Sequence, residues 1–208
     1  IAVEAAAAAS FTASLAAGKP VDAPVRPTLA DGLAVGRVGE RAFALAAPRV
    51  DRVLTVDEQL LSLAVLRLLE LEKTSCEGAG AAALAAIMGA AGQDLKGLKV
   101  VLLLCGGNID PTVLHRVIDH GLAVDGRLWR FTATVSDRPG GMARLTQVIA
   151  DAGASVLEIN HDRAFSGPEV FSTTVEVTVE TADQDHIDAL NKQLHEAGFG
   201  VVPATGCH

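Results

Sequence analysis

The chain has 208 residues, enough to bury a sizeable core in one or two domains, and half of them are hydrophobic with only 3% aromatic and no tyrosine. Its formal charge of −8 argues against nucleic acid as a partner, because phosphate contacts need clustered Lys and Arg. No uninterrupted apolar run reaches the ~20 residues of a membrane helix, and the Ala-rich opening, broken by Glu4 and Ser10, lacks the basic start of a signal peptide.

In chain order, Ile1-Ala2-Val3-Glu4 reads as the end of a strand already under way, so the chain is expected to be part of something longer. Ser10 to Ala17 is a short helical stretch stopped by Gly18-Lys19-Pro20. Residues 20–40 are rich in Pro and Gly and predict an ordered loop. Val50 to Val56 alternates like an edge strand, and Asp57 then caps a helix over Gln59–Lys73, with an apolar stripe from Leu60 and Leu61 to Leu71. Glu77-Gly78-Ala79-Gly80 breaks that helix, and a small-residue helix follows from Ala81 to Gly89. Lys99 to Leu104 is a continuous apolar run, the pattern of a strand buried on both faces of a parallel sheet. It ends at Cys105-Gly106-Gly107-Asn108. Asp110-Pro111 opens a further helix in the favoured order of N-cap followed by Pro at the first position. Residues 1–126 therefore read as an α/β layer, incomplete as it stands.

The remainder changes character. Leu128 to Ser136 alternates as a half-buried strand, residues 137–141 form a turn, and Met142 to Ala152 is an amphipathic helix with Leu145, Val148 and Ile149 inward. Ala154–Asn160 and Val170–Glu180 are strands, residues 184–197 a helix, and Gly198–Pro203 a last short strand. The order βαββαβ is the ferredoxin-like split unit. Charge marks the same division: residues 128–208 hold 5 Lys and Arg against 11 Asp and Glu, and residues 1–127 hold 12 against 14. The expected domains are residues 1–126 and 127–208.

The second domain resembles the ACT family through Val135-Ser136-Asp137-Arg138-Pro139-Gly140-Gly141 and Ile159-Asn160-His161-Asp162-Arg163. The resemblance implies a module that senses small metabolites, most often amino acids, and pairs with a second copy, so a homo-oligomer is expected. Amides of the helix start at Gly141 suit a carboxylate, and Asn160 offers both a donor and an acceptor to an amino-acid effector. The competing reading is a tight turn at Gly140-Gly141 and a strand cap at Asn160.

The first domain resembles the PLP-dependent threonine/serine dehydratases, fold-type-II enzymes that include serine racemase. The matching residues are Val3-Glu4 and Ser10, Thr28-Leu29-Ala30-Asp31-Gly32, Glu77-Gly78-Ala79-Gly80-Ala81 and Leu104-Cys105-Gly106-Gly107-Asn108-Ile109-Asp110. The resemblance implies pyridoxal phosphate (PLP) as cofactor. Cys105 then meets the pyridine nitrogen, Glu77 lies near the ring, and Gly32 and Gly106 let the backbone approach it. It also implies a mono- or divalent cation at Glu4, the carbonyl of Ala8, and Ser10. The competing readings are a buried, inert Cys105 and a solvated Glu4 at a strand end.

No catalytic residue is expected within the chain itself. The resemblance implies a Schiff-base lysine in a Ser-x-x-Lys setting, and none of Lys19, Lys73, Lys96, Lys99 and Lys192 has it. The N-terminal half that would supply it, together with a phosphate-cradling glycine tetrad, is the expected partner. The implied activity is an ammonia-lyase acting on L-threonine or L-serine. A racemase or hydroxyaspartate dehydratase of the same fold, or a non-catalytic amino-acid sensor, are the alternatives. The six histidines lack a metal-binding spacing and are expected at the surface. Cys76, Cys105 and Cys207 form no CxxC pair, which points to a reducing, cytoplasmic setting.

Overall fold

Two parallel strands open the structure because β-branched and small apolar residues at both segments pair in register. β1 (Ala2–Ala5) lies beside β2 (Val53–Val56), with Ala2 opposite Val53 and Ala5 opposite Val56. The computed structural model describes residues 1–89, 91–161 and 172–204. The chain divides into two units, Ile1–Gly121 and Leu122–His208. Among the described residues no helix is long and apolar enough to cross a membrane.

In the first unit β1 leads into α1 (Ser10–Ala17), which stops at Gly18, a residue in the left-handed region with φ 66°. Its amide returns to the carbonyl of Leu15, the closure that favours glycine at a helix end. The Pro/Gly-rich stretch after it holds one 3-10 turn, Asp31–Leu33, and is followed by α2 (Glu40–Ala46), a helix the composition did not announce. After β2, Asp57 caps α3 (Glu58–Leu71) by accepting the Leu60 amide at 2.8 Å. This matches the expected cap. Leu61, Ala64, Val65 and Leu68 are buried as the spacing predicts, whereas Leu71, at the helix end, is exposed.

Two expectations are corrected here. Gly78-Ala79-Gly80 does not break a helix; it is the first turn of α4 (Gly78–Met88), which packs on α3 through Ala81, Ala82, Ala85 and Ala86. Glycine stands there because neighbouring backbone comes too close for a Cβ: the Leu29 carbonyl at Gly78 and the Cys105 carbonyl at Gly80. The second correction concerns Lys99–Leu104. After α5 (Ala91–Asp94) this run has no regular structure and joins neither β1 nor β2, and Val101 is 94% and Leu103 77% exposed. A strand buried on both faces needs hydrogen-bonded neighbours and two covering layers, and the described residues supply neither. Instead, Val100 to Leu103 line an open apolar cleft of about 380 Å³ together with Val3, Leu54 and Ala82.

Asp110 caps α6 (Pro111–Val124), accepting the Thr112 amide at 2.7 Å and that of Val113 at 3.4 Å. Those two bonds, with the Thr112 side chain, hold its carboxyl below the usual range. α6 meets α3 at Gly121, where a Cβ would stand 3.1 Å from the Ser62 carbonyl and the Leu66 side chain.

The second unit has the predicted order: β3 (Leu128–Ser136), α7 (Gly141–Asp151), β4 (Ser155–His161), β5 (Ser172–Glu180), α8 (Gln184–Glu196) and β6 (Gly200–Pro203). Its strands form one antiparallel sheet in the order β4-β5-β3-β6. Alternation along β3 and β5 puts Trp129, Phe131, Ala133 and Val135 with Val175, Val177 and Val179 on one face, covered by Leu145 and Ile149 of α7 and Ile187, Leu190 and Leu194 of α8. Asp183 caps α8, and His186 in its first turn is half-buried: Nδ1 accepts the Ala182 amide and Nε2 faces the Ala152 carbonyl at 2.9 Å. The start of the expected third strand at Val170, the Asp162-Arg163 part of the ACT resemblance, Cys207 and His208 lie outside the described residues.

Candidate functional site

The residues singled out in the first unit come from three segments that meet at the N-terminal end of α4. Glu77 sits at the N-cap position of this helix, but its carboxylate does not cap it. Its amide donates to the Gly106 carbonyl at 2.9 Å, which ties the 105–107 segment to the helix start. Gly106 has φ 85°, a conformation that favours glycine, and a Cβ there would collide with the Glu77 carboxyl group. Gly32 arrives from the third segment; its missing Cβ would stand 3.1 Å from that of Ala79 and 4.0 Å from Glu77 Oε1. Gly32, Glu77 and Gly106 are thus brought together, with the exposed Cys105 next in the chain.

Cys76, which the sequence reading used only for its redox setting, belongs to the same cluster. Its Sγ lies 3.9 Å from the Cys105 carbonyl. Burial, then the nearby Glu77 and Cys105, push the Cys76 thiol up from its ordinary pKa, so it stays protonated and inert at neutral pH. Cys105 is the accessible thiol of the two. A further residue escaped the sequence reading. Glu58, at the first position of α3, accepts the Thr28 hydroxyl at 2.5 Å and the Leu29 amide at 2.7 Å. From sequence it is one more acidic residue in a helix first turn.

These residues fit a flat heteroaromatic cofactor. Two glycines present bare backbone beside the Glu77 carboxylate, the Cys105 side chain is exposed next to them, and Leu33 and Ala79 connect the cluster to the apolar cleft. The three segments contain no lysine.

Glu4, Ala8 and Ser10 lie within the β1–α1 connection. Glu4 Oε1 accepts the Phe11 amide at 2.7 Å, and Oε2 accepts the Thr12 amide at 2.9 Å and the Thr12 hydroxyl at 2.7 Å. Ala8 and Ser10 are buried, and the Ser10 carbonyl accepts the Ser14 hydroxyl. Glu4 thereby closes the start of α1, a service the sequence did not suggest. Among the described residues no group of three or more His, Cys, Asp or Glu is arranged to hold a metal.

In the second unit Gly140 enters α7 with φ 98°, and Gly141 presses on the Ser136 carbonyl so closely that a Cβ would overlap it. Asn160 is exposed on the edge strand β4, donating to Glu158 Oε1 at 3.2 Å. The two are not brought together within one chain. Asn160 pairs with Glu176, which pairs with Thr132, four residues before Ser136. The separation is roughly 14 Å along the strands and 10 Å across them, more than one small amino acid spans.

Comparison with known proteins follows the same two-part division. Residues 1–106 match the family described as "Pyridoxal-phosphate dependent enzyme" and residues 131–199 the ACT domain. The chain is 36% identical over 192 residues to an L-threonine ammonia-lyase of Thermotoga maritima, covering 92% of this chain and 47% of that protein. It is 40% identical over 199 residues to an L-threonine ammonia-lyase of Geobacter sulfurreducens, covering 96% of this chain and 49% of that one. Among solved structures, the processed form of threonine deaminase isoform 2 from Solanum lycopersicum superposes with a TM-score of 0.52 at 33% identity, covering 55% of this chain and 34% of that chain. The chain spans about half the length of the curated relatives it matches.

Proposed function

The chain belongs to the pyridoxal-phosphate dependent enzyme family, and from that premise we propose that it forms the C-terminal part of an L-threonine ammonia-lyase whose second unit is an amino-acid-responsive ACT domain. Residues 1–126 are its share of the catalytic domain and residues 127–208 the regulatory one. The observation that carries the reading is the meeting of Gly32, Glu77 and Gly106 beside an exposed Cys105.

PLP, when bound, supplies an electron sink that lets a proton leave Cα and a hydroxyl leave Cβ of the amino acid. Cys105, Glu77, Gly32 and Gly106 are the residues of this chain that would hold it. Cys105 would offer the ring nitrogen a sulfur, a weaker hydrogen-bond partner than a carboxylate. That moderates the sink and suits elimination. Gly32 and Gly106 would leave room for the cofactor by presenting no side chain, and Glu77 would offer it a carboxylate. Leu33 and Ala79, which line the cleft, would give it an apolar flank. The lysine that would move the Cα proton is proposed to lie outside these 208 residues, none of whose five lysines belongs to the cluster.

The reading is tested on the longer protein that contains this sequence. Reduction with borohydride is expected to leave a phosphopyridoxyl group on a lysine outside residues 1–208, and L-threonine is expected to yield a 2-oxo acid and ammonia. Inversion of serine without ammonia release would assign the racemase alternative instead. No adduct and no turnover would make the chain a sensor.

The ACT unit is proposed to bind an amino-acid effector between two copies, because Gly141 and Asn160 lie too far apart to share one within a chain. The cation at Glu4, Ala8 and Ser10 remains a proposal with a rival, since both oxygens of Glu4 already accept donors from α1. If an ion is held, millimolar Mg²⁺ or K⁺ raises the thermal midpoint of the chain, and Glu4→Gln abolishes the rise. If Glu4 is only a helix cap, the ions change nothing and Glu4→Ala costs about 1–2 kcal/mol.

A further inference from the structure

The loop that delivers Gly32 to the candidate site is held from behind by one carboxylate. Residues 20–39 have no strand ladder, and their only regular element is the 3-10 turn Asp31–Leu33. Among the described residues, the one hydrogen-bond partner of residues 28–32 beyond their own loop is Glu58. Each of its oxygens takes a separate donor, the Thr28 hydroxyl and the Leu29 amide. Thr28 Oγ1 in turn accepts the Ala30 amide at 3.1 Å, which curls the loop so that Ala30 is fully buried. From that fixed stretch the Leu29 carbonyl reaches the start of α4 at Gly78, and Gly32 reaches Ala79 and Glu77.

A glutamate in a helix first turn has an ordinary explanation, the helix dipole. That explanation asks only for a charge, and an exposed, unengaged side chain would satisfy it. Glu58 is half-buried, and both oxygens are spent on a segment about thirty residues earlier in the chain. Charge-assisted bonds of this length are the strong kind and fix geometry.

We propose that Glu58 is a positioning residue for the cofactor site, locking residues 28–32 so that the Gly32 backbone stays beside Ala79 and Glu77. The proposal rests on the reading that this cluster receives PLP, and it deepens that reading by naming what holds the wall in place. Glu58 touches neither cofactor nor substrate in this scheme; it acts through Thr28 and Leu29.

The experiment has two arms. In the 208-residue chain, amide hydrogen exchange is compared for the wild type, Glu58→Ala, Glu58→Gln and Thr28→Val. Residues 29–33 are expected to exchange roughly tenfold faster in Glu58→Ala, with the α3 amides from Ala64 to Leu68 unchanged. Thr28→Val, which leaves α3 untouched, should give part of that acceleration, and Glu58→Gln should restore most of the protection, because its amide oxygen still accepts the Leu29 N–H. In the longer enzyme, Glu58→Ala is expected to weaken PLP binding about tenfold or more, as misplaced supporting groups do, with Glu58→Gln staying close to the wild type. Wild-type exchange at residues 29–33 in both Glu58→Ala and Thr28→Val overturns the proposal. Equal acceleration throughout α3 also overturns it, since Glu58 would then serve only its own helix. If the wild-type enzyme takes up no PLP, the functional reading fails, and the exchange arm still decides what Glu58 does to the loop.

Discussion

Gly80→Ala is expected to destabilise the first unit by about 2–3 kcal/mol, a fall in thermal midpoint of roughly 8 °C. The sign is the opposite of the usual one. In a helix interior, replacing Gly by Ala ordinarily gains up to about 1 kcal/mol through propensity. Here the added carbon would overlap the carbonyl oxygen of Cys105 and stand 2.7 Å from both the Cys105 carbonyl carbon and the Cys76 sulfur. A backbone carbonyl cannot swing away as a flexible side chain can, so either α4 shifts or the 105–107 segment is pushed off the helix. Either movement separates Gly106 from Glu77 and, if the proposed function holds, weakens PLP uptake together with the loss of stability. Gly39→Ala is the control, because a Cβ there meets nothing, and its cost should stay within about 1 kcal/mol. An unchanged midpoint for Gly80→Ala would mean that residues 105–107 yield freely and that α4 does not set the place of Cys105.

Phe131→Ala is expected to cost the second unit about 3–5 kcal/mol. Phe131 is fully buried on β3, which lies between β5 and β6, with Val177 and Pro203 as its cross-strand partners. Its ring stacks at 4.3 Å on that of Trp129, so removal loses the aromatic contact as well as buried area. The loss is a large part of the 5–15 kcal/mol that holds a typical domain folded. Trp129 is the single tryptophan of the chain, so urea unfolding followed by its fluorescence reports on this unit alone. Phe131→Leu should retain most of the stability, at a cost below about 1.5 kcal/mol. A loss under 1 kcal/mol for Phe131→Ala would show that the core closes over the gap and is not centred on β3.

The second unit was legible almost residue by residue, and the reason is local. Strict alternation from Leu128 to Ser136 and through Ser172 to Glu180 leaves only one face able to enter a core, and the Pro139-Gly140-Gly141 turn and the Gly198 turn separate the elements. The caps at Asp57 and Asp110 were readable for the same reason, since a short acceptor side chain needs only the amides two or three residues ahead. Helix α2 was not readable: Glu40–Ala46 is short, buries no residue fully, and follows a Pro/Gly-rich stretch that masks it.

By itself, then, the sequence determined the βαββαβ order of the second unit, the helix caps at Asp57 and Asp110 and the family to which the motifs point. It also marked Gly32, Glu77, Cys105 and Gly106 as related, through resemblance rather than through any spacing that could be calculated. Only the tertiary structure decided that three of these four meet at the start of α4, that Gly78 and Gly80 belong to a helix because backbone crosses them, that Glu58 spends its carboxylate on a segment about thirty residues away, and that Glu4 spends its own on the start of α1. It decided too that Lys99–Leu104 does not join the β1–β2 pair. Hydrophobicity encodes a demand for burial, which is non-directional, but it does not name the partner. Strand pairing, close backbone approach and long-range carboxylate bonds each depend on where distant segments arrive, and that is a property of the assembled fold.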